Sequence, residues 1–185
     1  MAQALIFLAT GYEEVEMLTV VDMVRRAGIE IDMVSISDTL EVTSSHNVTI
    51  RADKLLTEAD FDAAQILILP GGIPGTPNLR ACDLLCQKLI EFAHNGKKVA
   101  AVCAAPTVLA SLGILEGKKA TCYPSFADKL ETGDYVKQPV VVDGNVITSR
   151  GMGTCIDFAG AIIEALKDKA TAEDIKKKII YNDVY

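Results

Sequence analysis

The strongest constraint in this sequence is a repeated pairing. A short apolar run stops at glycine, proline or cysteine, and a stretch with helical spacing follows. Ala4-Leu5-Ile6-Phe7-Leu8-Ala9 ends at Thr10-Gly11, Gln65–Leu69 ends at Pro70-Gly71-Gly72, and Lys98–Val102 runs into Cys103. Short runs without polar alternation are what strands buried on both faces require. The helical stretches run from Glu14 to Ala27 with Gly28 beyond, from a capping Asn78 to His94 before Asn95-Gly96, and from Pro106 to Leu112 before Gly113. Ile29–Ile36 reads as a second strand, and two closing helices cover Thr154–Leu166 and Thr171–Ile180. Between Leu40 and Leu56, Ser44–Asn47 joins two β-like pieces in a hairpin, and Asp143-Gly144-Asn145 turns Pro139–Val142 onto Val146–Ser149. Strand–helix alternation without linker or repeat predicts one α/β domain over residues 1–185, with a mostly parallel sheet and helices on both faces.

Charge narrows the partners. Eighteen Lys and Arg against twenty-five Asp and Glu give a net charge of −7, which repels phosphate backbones and anionic bilayers. Nucleic acid and membrane are therefore not expected partners. The cysteines Cys82, Cys86, Cys103, Cys122 and Cys155 are odd in number, no pair is spaced CxxC, and Met1–Ala9 lacks a basic leader with a cleavage site. Free thiols in a reducing cytoplasm are the expectation. With only His46 and His94 there is no imidazole cluster, and Cys82 and Cys86 have no companion ligands, so no metal is expected. Gly71-Gly72-Ile73-Pro74-Gly75 lacks the Lys-Ser/Thr of a P-loop and the Rossmann spacing, so no nucleotide cofactor is expected either.

Sites in such sheets form outside the carboxyl ends of the strands. Three segments reach that edge: Gly11–Glu16, Pro70-Gly71-Gly72 and Cys103-Ala104-Ala105-Pro106. Cys103 lies between a strand and a helix in a turn of small residues, the setting of a nucleophile elbow, and the helix N-terminus beyond it would favour thiolate. A packing thiol at a strand end is the alternative. Glu16 shares a helix face with Val20, Met23 and Ala27, so its carboxyl should turn inward and be held protonated by desolvation. The alternative, a first-turn acid complementing the dipole, suits Glu13 and Glu14 better. Backbone N–H groups near Ala104 and Gly72 could hold an anion.

Ala9–Glu16, Leu69-Pro70-Gly71-Gly72, Ala101–Pro106 and Thr148–Thr154 together resemble the DJ-1/ThiJ/PfpI superfamily, in its DJ-1 and YajL-like branch, in order along nearly the whole chain. The resemblance implies a flavodoxin-like, doubly wound homodimer with a reactive cysteine at Cys103 and an acidic partner at Glu16. It places Gly71, Gly72 and Ala104 at an anion pocket and Arg26 near the neighbouring subunit's pocket. Ala104 stands where the protease branch has histidine, so a Cys-His protease is not implied. Tyr123 stands where the DJ-1 branch places a histidine beside the cleft, and its reference pKa near 10 makes it a slower proton carrier at neutral pH. The region near His46 replaces an arginine of the family.

The resemblance implies two alternative functions. One is glutathione-independent glyoxalase or deglycase-type chemistry on small reactive carbonyls or glycated adducts, protecting against carbonyl and oxidative stress. The other is a redox sensor or chaperone in which Cys103 oxidises to sulfinate.

Overall fold

A computed structural model of the chain describes residues 3–130 and 133–182. In chain order the described elements are β1 (Ala4–Leu8), α1 (Glu14–Arg26), β2 (Ile31–Ser35), β3 (Glu41–Thr43), β4 (Thr49–Arg51), β5 (Lys54–Leu55), β6 (Ile66–Leu69), α2 (Gly75–Arg80) and α3 (Asp83–His94). Then come β7 (Lys98–Val102), α4 (Pro106–Ser111), β8 (Lys119–Ala120), β9 (Asp134–Tyr135), β10 (Val140–Asp143), β11 (Val146–Ser149), α5 (Cys155–Leu166) and α6 (Lys169–Lys178). The main sheet runs β10-β11-β7-β6-β1-β2-β5, parallel throughout except for the β10–β11 hairpin. This is the α/β arrangement expected from the strand–helix alternation.

The two-residue period of the strands divides the core. From β1, Ala4, Ile6 and Leu8 join Val20, Val24, Phe158 and Ile162 of α1 and α5 on one face. Leu5 and Phe7 join Leu85, Leu89, Phe92 and Leu109 of α3 and α4 on the other. All five β1 side chains are fully buried, which explains the absence of any polar residue in that run. Among the described residues, no helix is long and apolar enough to cross a membrane.

The single helix expected from Asn78 to His94 is instead two, broken at Ala81-Cys82. Leu85, Leu89 and Phe92 keep a helical repeat, whereas Leu79 lies six positions before Leu85 and reaches the same core only if the axis turns. Asn78 therefore caps nothing: it lies within α2, and its side-chain amide donates to the Thr10 carbonyl at 2.8 Å, tying α2 to the loop after β1. The last helix begins earlier than expected, at Lys169, because Asp168 accepts the Thr171 N–H at 2.7 Å as its N-cap.

The loops after β1 and β6 interlock through glycine. Gly75 N–H donates to Gly11 O at 3.0 Å, and Glu13 N–H donates to Gly71 O at 3.0 Å. Alanine at position 75 would ordinarily favour a helix by about 1 kcal/mol over glycine. Here its Cβ would stand 2.6 Å from both Gly11 O and Tyr12 N, which are backbone atoms that cannot swing aside. Gly75→Ala should thus lower the melting temperature and the urea midpoint, and a value equal to or above wild type would show that the two loops part freely.

Candidate active site

The carboxyl ends of β1, β6, β7 and β11 meet where the strand order reverses, since β1 leads to β2 on one side and β6 lies on the other. Cys103 follows β7 with φ +63°, a left-handed conformation that L residues adopt at a cost of about 1–2 kcal/mol. Both of its backbone groups are engaged: its N–H donates to Ser149 O at 3.0 Å, and its carbonyl accepts from Tyr123 N–H at 2.8 Å. The strained turn is thereby fixed from two sides, and Cys103 stays partly exposed.

Glu16 reaches the same point from the opposite layer. It lies on the buried stripe of α1 with Val20, Met23 and Ala27, and is 1% exposed. Gly71 N–H donates to Glu16 Oε2 at 2.8 Å, and the carboxyl also meets the Cys103 thiol and the Met152 backbone N–H. Burial pushes the Glu16 pKa up to about 7, against the lowering pull of the Gly71 amide, the Cys103 thiol and the Met152 amide. Glu13 accepts the Glu16 N–H at 2.7 Å, so it caps α1 while its own charge adds to the rise. Only glycine fits at 71, because a Cβ there would lie 2.6 Å from both Cys103 Cβ and Glu16 Oε2.

The thiol corrects one expectation. Burial first, and then the Glu16 carboxylate, push Cys103 up to about 12, while the amides of Ala104 and Gly72 pull the other way. The following helix starts only at Pro106 and does not offset these effects. Thiolate is not the resting form. It arises when the proton passes to Glu16, which removes the opposing charge. The arrangement is a buried acid–thiol pair that passes from two protons to one near neutrality, the remaining proton resting on sulfur.

The other expected residues divide. Gly71, Gly72 and Ala104 stand at the thiol, with Gly72 at φ +95°. Tyr123 is about half exposed and packs edge-on against Phe126 with ring centroids 6.4 Å apart. Arg26, the last residue of α1, is ten residues from Glu16, about 15 Å along the helix axis. It is exposed and pairs with Asp22 at 2.6 Å, so it does not reach its own chain's pocket. Gly151 belongs to the site although it was not expected there: a Cβ on it would lie 3.9 Å from Cys103 Sγ, 3.8 Å from Glu16 Oε1 and 3.5 Å from the Tyr123 ring. The rule that exposed Pro70-Gly71-Gly72 applies equally to the residues after Ser149, but a strand read as the return of a hairpin hid it. Its parallel partner, β7, puts its carboxyl end at the same edge. Beneath Gly151 lies buried Cys155, whose thiol donates to the Gly151 carbonyl at 3.4 Å.

Among the described residues, one group could converge on a cation: Glu13, Glu14 and His46, whose ligand atoms lie within 4.8 Å of one another. These groups are already engaged, Glu13 in capping α1 and Glu14 with the exposed His46 at 3.1 Å. Against the effect of burial, a backbone hydrogen bond and then the His46 contact lower the Glu14 pKa, and the same contact raises that of His46.

A carboxyl group raised from 4.5 to about 7 by folding holds its proton more tightly in the native state. Stability must fall as pH rises between those values, by about 3 kcal/mol from this shift alone. Glu16→Gln keeps an acceptor for the Gly71 N–H and removes the titration. Its melting temperature should exceed that of wild type at pH 8, and the gap should narrow toward pH 4.5. Calorimetry showing an equal gap at both pH values would contradict the burial argument.

The sequence pattern of the DJ-1/PfpI family matches residues 2–165. The chain is 38% identical over 179 residues to Protein dj-1beta of Drosophila melanogaster, covering 96% of each. The crystal structure of Drosophila melanogaster DJ-1beta superposes with a TM-score of 0.93 at 37% identity over the full length of both. Protein DJ-1 homolog B of Arabidopsis thaliana is 38% identical over 163 residues, 88% of this chain but 37% of that longer protein. Identity is 31% over 169 residues to a Caenorhabditis elegans protein named Glutathione-independent glyoxalase DJR-1.2, covering 90% of this chain and 89% of that one. Sequence and fold agree along the whole domain: the chain is a member of the DJ-1/PfpI family.

Proposed function

We propose that this protein is a cysteine enzyme that converts small 2-oxoaldehydes such as methylglyoxal into 2-hydroxy acids without glutathione. The observation that carries this reading is the Glu16–Cys103 pair, a buried carboxyl near pH 7 in contact with a thiol on a strained turn. The name of the nematode relative supports the same chemistry.

In this mechanism Glu16 takes the thiol proton as Cys103 Sγ adds to the aldehyde carbon. The Gly72 and Ala104 amides, which face the sulfur, stabilise the oxyanion that forms. That oxyanion takes a proton to give the hemithioacetal. Glu16, again a carboxylate, removes the hydrogen from the former aldehyde carbon and returns it to the neighbouring carbon, giving a thioester. Water cleaves the thioester, releasing lactate from methylglyoxal and restoring the thiol. One water is consumed and no external oxidant or reductant is needed, because one carbon is oxidised as its neighbour is reduced. Addition to glycated adducts is a variant of the first step. Pairing of two copies, with Arg26 turned toward the neighbour's pocket, and residence in a reducing cytoplasm belong to the same reading. All five cysteines are free, in keeping with it.

The raised Glu16 pKa also favours a second reading. A protonated Glu16 would donate to an oxidised Cys103 sulfur, which suits sulfinate formation and redox sensing by an oxidative-stress protein.

Lactate formation from methylglyoxal without glutathione should fall to background in Cys103→Ser and by roughly 10²–10⁴-fold in Glu16→Gln. An undiminished rate in Cys103→Ser would remove the enzyme reading, and no turnover by wild type with a reduced thiol would leave the redox one. The pair holds two protons below pH 7 and one above, so kcat/KM should rise with pH through a midpoint near 7. A flat profile from pH 5 to 9 would show that Glu16 is not the base.

A further inference from the structure

A concavity of about 370 Å³ lies between α2, α4 and the turn at Pro124–Leu130. Ile73, Thr76, Thr107 and Phe126 line it, with Arg80 and Lys129 at its rim. Its walls continue the elements that hold Cys103. Ile73 follows Gly72, whose amide faces the sulfur. Thr107 donates its hydroxyl to Ala104 O at 2.7 Å, and Phe126 packs against Tyr123, whose N–H holds the Cys103 carbonyl. The groove and the thiol are therefore held by the same segments of chain.

The groove's chemistry differs from that of the thiol pocket. Its walls are largely apolar, and the buried Thr76 hydroxyl in its lining has no hydrogen-bond partner among the described residues. Arg80 stands beside the Cys86 thiol, and Lys129 Nζ lies 5.2 Å from the centre of the Phe126 ring. Neither enters any of the ion pairs among the described residues. Two basic groups that enter no ion pair among the described residues, on one small groove of a chain with net charge −7, form a local field that opposes the general one. Arginine's planar fork matches a carboxylate, and the surrounding negative field disfavours a dianion more than a monoanion.

We infer that this groove is a specificity subsite for a carboxylate-bearing arm of the substrate, so that the preferred substrates are 2-oxoaldehydes joined through a short apolar body to a carboxylate. The reaction at Cys103 rests on the proposed function, whereas the groove can be tested without turnover. In wild type at low salt, kcat/KM for 4-carboxyphenylglyoxal should exceed that for phenylglyoxal about tenfold, the scale of one charge-assisted contact. The ratio should fall toward one in the Arg80→Gln/Lys129→Gln double variant. A ratio of one in wild type, or a ratio kept in the double variant, would overturn the subsite. Titrating benzoate into ¹⁵N-labelled Cys103→Ser protein separates the two proposals. Amide shifts at Ile73, Thr76 and Phe126 that vanish when Arg80 and Lys129 are also replaced would support the subsite even if neither glyoxal is turned over. Absence of such shifts would overturn it even if phenylglyoxal is a substrate.

Discussion

The hydrogen bond from Gly71 N–H to the buried Glu16 carboxyl is the contact on which the rest of the site depends. It joins α1 on one layer to the end of β6 in the sheet and holds an ionisable group where water cannot. Desolvation raises that carboxyl to about 7, and without the amide it would be raised further. The glycine is obligatory for a steric reason, since any side chain at 71 would occupy the space of both Cys103 Cβ and the carboxylate. The Cys103 thiol meets Glu16 only because its own backbone turns to φ +63° at the end of β7. Strain, close glycine packing and a buried acid are thus parts of one arrangement.

Close approach of backbones explains why the loops are so rich in glycine. Gly11, Gly72 and Gly75 form one contact zone in which added Cβ atoms would fall 2.4–2.9 Å from neighbouring atoms of the other loop. The cost of glycine in the unfolded chain is offset by loops that interlock and carry the Gly72 amide to the sulfur. On the far side, Gly151 brings bare backbone up to Tyr123, Glu16 and Cys103, each within 4 Å of where its Cβ would lie. The site is shaped chiefly by missing side chains, whereas the groove to which we assign selectivity sets Arg80 and Lys129 on largely apolar walls.

Much of this was legible in the residue order. Apolar runs closed by glycine or proline located β1, β6 and β7, because strands buried on both faces admit no polar residue and must leave the sheet abruptly. The stripe of Glu16, Val20, Met23 and Ala27 turns the carboxyl inward, since helix periodicity fixes which side chains share a face. The departures have equally physical origins. The break between α2 and α3 carries no proline or glycine at Ala81-Cys82, so local propensity gave no sign of it. Gly151 was passed over because hairpin pairing with β10 masked the parallel partner of β11.

The sequence by itself determined the layered α/β architecture, the glycine-rich edge and the identity of the thiol and the acid, because these rest on periodicity and on steric rules that act over a few residues. The tertiary structure alone decided the protonation of the thiol. A helix terminus read locally suggests thiolate, but burial and the Glu16 charge together outweigh it, and both depend on residues eighty-seven positions apart in the chain being brought into contact. It also decided that Arg80 and Lys129 share one groove. Charges far apart in sequence acquire a common field only when the fold sets them against the same low-dielectric wall.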